Sequence, residues 1–389
     1  MKYSPSLTIT LASAAAWVFL LVGRGRFWEA RADGHLGAAP DMRGIVVEAV
    51  VPARDEAETI APAIASLVGQ RFEGSLQVTL VDDGSTDGTA ERARTAIAAE
   101  PERPRLTTIA ARPLGPGWTG KLNALDSGIA YVRATRGTPH YWLFTDADVA
   151  HDRDNVAALV AKAERDRLDL VSLMVRLRCE SAWEALLVPA FVFFFAKLYP
   201  FAWSNDPRHR TAAAAGGCIV LSNAALERIG GLTPIAHRLI DDCALAEEVK
   251  RSGGGMYLGL TTRTTSMRRY DSLRPLWHMV ARTAFEQLGR SYPNVATAVG
   301  GMTFLYLVPP LATLAGLARR KRPLALAGAL AWSVMALAYL PTAALYRRGP
   351  LAALGLPVTA LLYTAMTIDS ALAHALRRGG AWKGRTYSS

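Results

Sequence analysis

The chain has 389 residues, enough for one large domain or two ordinary ones. About half of them are hydrophobic, as in most folded proteins, and the net charge of +11 suits anionic partners such as nucleic acid, anionic lipid or small phosphorylated molecules. No zinc-finger spacing or aromatic ribonucleoprotein signature accompanies the charge, which argues against nucleic acid. Cys179, Cys218 and Cys243 are too scattered to define a disulfide framework or a metal cluster.

In chain order, the first element is SLTITLASAAAWVFLLV at 6–22. It carries no charge and is long enough to cross a bilayer, which takes about 17–25 apolar residues. Lys2 precedes it, and Arg24, Arg26 and Arg31 follow. We read residues 1–25 as an uncleaved anchor, with a cleaved signal peptide as the alternative. The positive-inside tendency then places the next residues in the cytoplasm.

From residue 44 to about 180, short apolar runs alternate with helical patterns. GIVVEAVVPA, LQVTLVDDG, YWLFTDAD and LDLVSLMVRL read as strands. TIAPAIASLVGQ, TDGTAERARTAIAAE and DNVAALVAKAERD read as helices. This alternation predicts right-handed βαβ units, hence an α/β fold with a doubly wound, mostly parallel sheet, in a domain over 40–290. Residues 183–203, WEALLVPAFVFFFAKLYPFAW, are aromatic and interrupted by Pro189, Lys197 and Pro200. They read as an interfacial helix, with a buried core helix as the alternative.

Three apolar segments follow, at about 295–318, 324–346 and 351–376, each long enough to span a membrane, before a basic tail at 377–389. Arg319–Arg322 and the other basic residues beside these runs favour a membrane surface. Three plain crossings after a cytoplasmic domain would put Arg319–Arg322 and the tail outside, against the positive-inside tendency. We therefore expect the segment at Pro309–Pro310 to turn back, which returns both to the cytoplasm and lets Trp382, Lys383 and Arg385 reach the active site.

Ligands of doubly wound sheets bind at the carboxyl ends of the strands. Asp55/Glu56, Asp82/Asp83 and Asp146/Asp148 all fall at predicted strand ends. Such a gathering repels itself unless cations or hydrogen-bond donors are supplied. Strand alternation would point Asp146 and Asp148 the same way. Two carboxylates there suit Mg²⁺ or Mn²⁺, which take oxygen ligands and bridge to phosphates. A strand-to-helix turn capped by Asp is the alternative. In DDGSTDGT at 82–89 the glycines permit a tight loop, and capping accounts for Ser85 or Asp87 but not for the paired acids. Asp241–Asp242 either cap the helix CALAEEVKR or supply a base.

Here the sequence resembles a known family. PARDE at 52–56, VDDGSTDGT at 81–89, DAD at 146–148 and DD at 241–242 resemble the family 2 glycosyltransferases of the GT-A fold. GWTGKLNAL at 117–125, GGCIVLSNAALERIGG at 216–231 and WKGRTY at 382–387 narrow the resemblance to the hopene-associated glycosyltransferases, with ceramide glucosyltransferases more distant. The resemblance implies that Pro52, Ala53, Arg54 and Glu56 line the nucleotide base and ribose. It implies that Asp83, or else Asp82, contacts the base and that Lys121 lies near the donor phosphates. Asp146 would face the donor, Asp148 with Asp146 would hold the metal, and Asp242 would be the general base. The implied enzyme sits in the inner membrane with its catalytic domain facing the cytoplasm. It would move one sugar from a nucleotide-sugar donor to a lipid hydroxyl with inversion. The Arg-Trp of processive members is missing from ARTAFEQLGRS at 281–291, where Arg282 or Gln287 stands in. His278 is a further ligand candidate. A polysaccharide synthase, a nucleotidyltransferase and an inactive membrane scaffold are the rival classes.

Overall fold

The structure, a computed structural model, describes residues 4–32, 41–97, 106–376, 381–382 and 385–386. Lys2, Lys383 and the tail beyond its two short paired strands, Ala381–Trp382 and Arg385–Thr386, lie outside what is described, as do the side chains of Trp382 and Arg385. The described residues form two compact units. One gathers those up to Arg31, Cys179–Ala202 and those from Tyr270 onward; the other gathers Ala32–Arg178 and Trp203–Arg269.

The second unit holds an eight-stranded sheet: β1 (Val46–Ala53), β2 (Ser75–Asp82), β3 (Leu106–Ala110), β4 (Tyr141–Thr145), β5 (Val149–Ala150), β6 (Leu170–Arg176), β7 (Cys218–Ser222) and β8 (Met256–Ser266). Their spatial order is β3-β2-β1-β4-β7-β6-β8-β5. Pairing is parallel for β1–β2, β1–β4, β2–β3 and β6–β8, and antiparallel for the others. β1 is buried on both faces, as its apolar run requires, and its one acid, Glu48, is paired with Arg136 at 2.7 Å. Val47, Ala49 and Val51 face one core with helices Ile60–Val68 and Asn155–Asp166. Val50 faces another with Gly120–Thr135 and Asp241–Arg251. After β1 the chain builds outward through β2 and β3, then returns to place β4 on the other side of β1. The crevice at that reversal is where a doubly wound sheet receives its ligand.

The first unit is helical. Among the described residues four helices are long and apolar enough to cross a membrane: Pro5–Gly23, Tyr292–Ala318, Arg322–Leu345 and Leu356–Ala375. The segment with Pro309–Pro310 does not turn back, contrary to expectation. Tyr292–Ala318 is continuous, and Thr303–Leu307 widens to a π-turn ahead of the prolines. Proline has no N–H to donate, so the carbonyls of Phe304 and Leu305 lose their helical partners. Ser13 Oγ donates to Phe304 O and Trp17 Nε1 to Leu305 O, both at 2.8 Å. Residues four apart on a neighbouring helix thus satisfy both freed carbonyls, as an apolar setting demands.

Helix Ala182–Leu198 starts with a capping box between Ser181 and Glu184 and runs through Pro189. The segment expected to lie at an interface buries Leu187, Val188, Val192 and Phe193 within its unit, and Phe193 packs edge-on against Tyr339. His278 and Gln287 lie on helix Leu273–Gln287 of the same unit. There Arg274 Nε donates to His278 Nε2 at 3.4 Å, and Gln287 Nε2 donates to Tyr199 Oη at 2.6 Å.

Candidate active site

The loops after β1 and β2 are stitched together. Register sets Ala53 opposite Asp82, and the Asp83 N–H donates to Ala53 O at 2.8 Å. Arg54 donates to the Asp83 carbonyl and stands 3.8 Å from its buried carboxylate. The Asp55 N–H donates to Ser85 Oγ at 3.0 Å, and Asp55 Oδ1 accepts the Thr86 N–H at 2.8 Å. The Glu56 N–H donates to Thr89 Oγ1 at 2.9 Å. Gly84 and Gly88, at φ of 74° and 84°, let the second loop fold back against the first. Asp82 Oδ1 accepts the Ser85 N–H at 2.9 Å, and Asp87 Oδ1 accepts the Thr89 N–H at 3.0 Å where the next helix starts. Asp82 and Asp87 therefore shape the loop, whereas buried Asp83 is held by Arg54.

A second cluster is built on Lys121, in the first turn of helix Gly120–Thr135. Its Nζ lies 2.9 Å from Asp146 Oδ1 and 3.2 Å from Asp241 Oδ2. Asp242 is beside them, at the start of helix Asp241–Arg251. Its Oδ2 accepts the Gly216 N–H and its Oδ1 the Cys243 N–H, each at 2.8 Å. A side chain at Gly216 would stand 3.0 Å from Lys121 Nζ and 3.3 Å from Asp242 Oδ2, so glycine is what lets this backbone reach the carboxylate. Pro52, Lys121, Thr145, Gly216, Asp241 and Asp242 line one pocket. Burial works against the Lys121 ammonium, but Asp146, Asp241 and Asp242 outweigh it and hold its proton above the usual lysine range. Burial and the adjacent Asp241 push Asp242 up to about 6, against the pull of Lys121 and the two N–H donors.

Asp146–Ala147–Asp148 is not the strand that alternation predicts. β4 stops at Thr145, and a turn closed by the Val149 N–H on Asp146 O leads into β5. The turn sends the two acids to different partners. β5 pairs antiparallel with the end of β8, Val149 opposite Ser266, and the Met267 N–H continues the ladder to Asp148 O. Asp148 Oδ2 thereby accepts Ser266 Oγ at 2.9 Å and Arg268 Nε at 3.1 Å. The same guanidinium donates from Nη2 to Glu56 Oε1 at 2.6 Å. Burial raises the Asp148 proton affinity above the ordinary carboxylate range, and Arg268 opposes the rise.

Behind the turn, Thr145 Oγ1 donates to Gly217 O at 2.8 Å and lies 2.9 Å from His151 Nε2, while Asn155 Nδ2 is 2.9 Å from His151 Nδ1. Asn155 donates to Nδ1, so Nε2 carries the imidazole proton. Burial pushes the ring down to about 4, and it stays neutral.

Among the described residues no group of three His, Cys, Asp or Glu side chains could hold a metal ion. Asp146 and Asp148 supply two carboxylates on one turn, the hard oxygen donors that Mg²⁺ or Mn²⁺ takes when phosphates and water complete its shell. The donor set fits such an ion only together with a phosphorylated ligand. Sequence reasoning missed Ser266 and Arg268. The signal for both was the Thr-rich run ending β8, LGLTTRTTS at 258–266.

The fold and site define an α/β protein of the GT-A type, with its crevice at the β1–β4 reversal. Residues 48–230 match the model of the family Glycosyl transferase family 2. Among solved structures, mannosyltransferase PcManGT from Pyrobaculum calidifontis, in complex with GDP-Man and Mn²⁺, is similar at 21% identity and a TM-score of 0.56. That match covers 95% of this chain and 99% of that one. Glucosyl-3-phosphoglycerate synthase from Mycobacterium tuberculosis, in complex with phosphoglyceric acid, is 20% identical over 63% of this chain and 81% of that one, with a TM-score of 0.40. TarS of S. aureus is 13% identical over 74% and 54%, with a TM-score of 0.42. No curated protein matches the sequence. At these identities the likeness to PcManGT defines the fold, and the family match covers the segment that holds β1 to β7.

Proposed function

We propose that the protein is a membrane-bound, inverting glycosyltransferase that moves a single sugar from a nucleotide-sugar donor to a lipid hydroxyl. The observation that carries this is Asp242. Its carboxylate is oriented by two backbone N–H groups, raised to about 6, and placed in one pocket with Lys121. A base of that proton affinity is largely ionised at neutral pH and can still accept a proton from an alcohol.

In this scheme Asp242 takes the proton of the acceptor hydroxyl as its oxygen bonds to the anomeric carbon. The bond from that carbon to the phosphate oxygen breaks on the opposite face, so the configuration inverts. Lys121 steadies the departing nucleoside diphosphate, Asp83 and Arg54 border the nucleotide, and Asp146 and Asp148 would hold a divalent cation. When bound, that cation neutralises diphosphate charge. The lipid acceptor is supported by the four apolar helices, and its hopanoid-like class by resemblance. Cytosolic nucleotide sugars place the catalytic unit in the cytoplasm. With four crossings Arg319–Arg322 then fall on the far face, and an impermeant thiol reagent should label Arg320→Cys in intact cells.

Asp242→Asn is nearly isosteric but cannot take up a proton. Donor binding should stay intact while transfer falls about 10²–10⁴-fold. Near-normal transfer would remove Asp242 from the mechanism.

A further inference from the structure

Among the described residues, Arg268 bridges two carboxylates that converge from strands far apart in sequence. Its Nε holds Asp148 and its Nη2 holds Glu56, so one planar group reaches both acids. The Asp148 side chain is 9% exposed and that of Arg268 is 35% exposed. The acid is therefore fixed in the interior while the cation is the more accessible partner. Ser266 Oγ binds the same Asp148 oxygen, so Oδ2 already carries two donors. A divalent cation brought to that oxygen would meet the positive guanidinium about one contact distance away, and like charges so close oppose each other. Breaking only the Nε contact leaves Arg268 tethered to Glu56. That frees the Nε–H, a charged donor that a phosphate oxygen can accept.

We propose that Arg268 is an exchangeable counter-ion: it occupies Asp148 until a divalent cation and a nucleoside diphosphate arrive together, then releases Asp148 and turns its freed Nε–H to the diphosphate. The inference rests on the transferase reading of the site and adds to it an order of events. The cation binds poorly alone and well with nucleotide, because only the diphosphate offers Arg268 a new partner. By reciprocity the nucleotide must likewise bind better with the cation, and by the same factor.

The test is Mn²⁺ binding to the full-length protein in detergent, followed by the loss of the free-ion paramagnetic resonance signal, without nucleotide and with UDP or GDP. Wild type should bind Mn²⁺ weakly alone and at least about 10-fold more tightly with a nucleoside diphosphate. Arg268→Met, which keeps the aliphatic stem but not the charge, should bind Mn²⁺ alone about 10-fold more tightly than wild type. Its gain from nucleotide should shrink accordingly. Arg268→Lys keeps a cation but cannot bridge both acids. It should change in the same direction by less, and it serves if the methionine variant fails to fold. A merely structural arginine would leave Mn²⁺ affinity unchanged or weaker in the folded variants, and that result would overturn the proposal. Wild type that bound no Mn²⁺ even with UDP or GDP would instead count against the transferase reading itself.

Discussion

The two ion-pair clusters differ in how charge is balanced. Around Lys121 one cation faces Asp146, Asp241 and Asp242. Around Arg268 one cation bridges Asp148 and Glu56, and each acid is held by a different nitrogen of the guanidinium. In the first cluster the ammonium touches Asp146 and Asp241, and Asp242 is left to two backbone N–H donors. Burial and the neighbouring Asp241 raise its proton affinity into the range of a working base, against Lys121 and those two donors. In the second cluster both acids bind the guanidinium directly, and the bridging cation is the part that can be exchanged. An acid without a direct cation contact makes a base, whereas a shared bridge makes a latch.

Lys121→Met breaks the first cluster. Losing its only lysine should cost transfer about 10²–10³-fold, the usual worth of a donor aimed at developing charge. It should also move the acid limb of the rate upward from about 6, because Lys121 is what pulls Asp242 down. The ionised base is the active form, so a higher proton affinity means activity is lost at a higher pH. A pH–rate profile for residual transfer would show this.

Asp241→Asn should be milder and opposite in sign. Asp241 raises Asp242, so its neutral replacement should lower the limb below about 6 and leave activity in mildly acidic buffer that the parent loses. A limb that moved the same way in both variants would contradict the charge balance described here.

The smallest effect lies in the helical unit. Trp17→Phe keeps the ring but leaves Leu305 O without its donor beside Pro309–Pro310. A buried polar group left unpaired costs about 1–3 kcal/mol, which should lower the unfolding temperature in detergent while transfer per folded molecule is unchanged.

Much of the parallel part of the sheet was legible in the sequence because its strands are mostly apolar runs with amphipathic helices between them. β1, β2, β4 and β6 lie where GIVVEAVVPA, LQVTLVDDG, YWLFT and LDLVSLMVRL indicate. The acids at their ends were legible too, since a parallel sheet carries such residues to one edge. The antiparallel part was not. β7 is five residues long, β5 is two, and β8 is rich in threonine, so none announces itself as a strand. That is why Arg268, 120 residues beyond Asp148, went unseen: only the pairing of β5 with β8 brings them together. The continuity of Tyr292–Ala318 was hidden for a similar reason. The two prolines are tolerated because Ser13 and Trp17, nearly 300 residues earlier, supply the missing donors.

The most direct measurement is sugar transfer itself. Membranes containing the wild-type protein, and others containing Asp148→Ala, would be given a panel of radiolabelled nucleotide sugars with Mg²⁺ or Mn²⁺ present. Wild type should move label from one of the donors into a lipid-extractable product, with release of nucleoside diphosphate, and both should disappear in excess EDTA and in Asp148→Ala. Labelled product of undiminished yield in EDTA and in Asp148→Ala, or no donor consumed by a folded wild-type protein, would contradict the account.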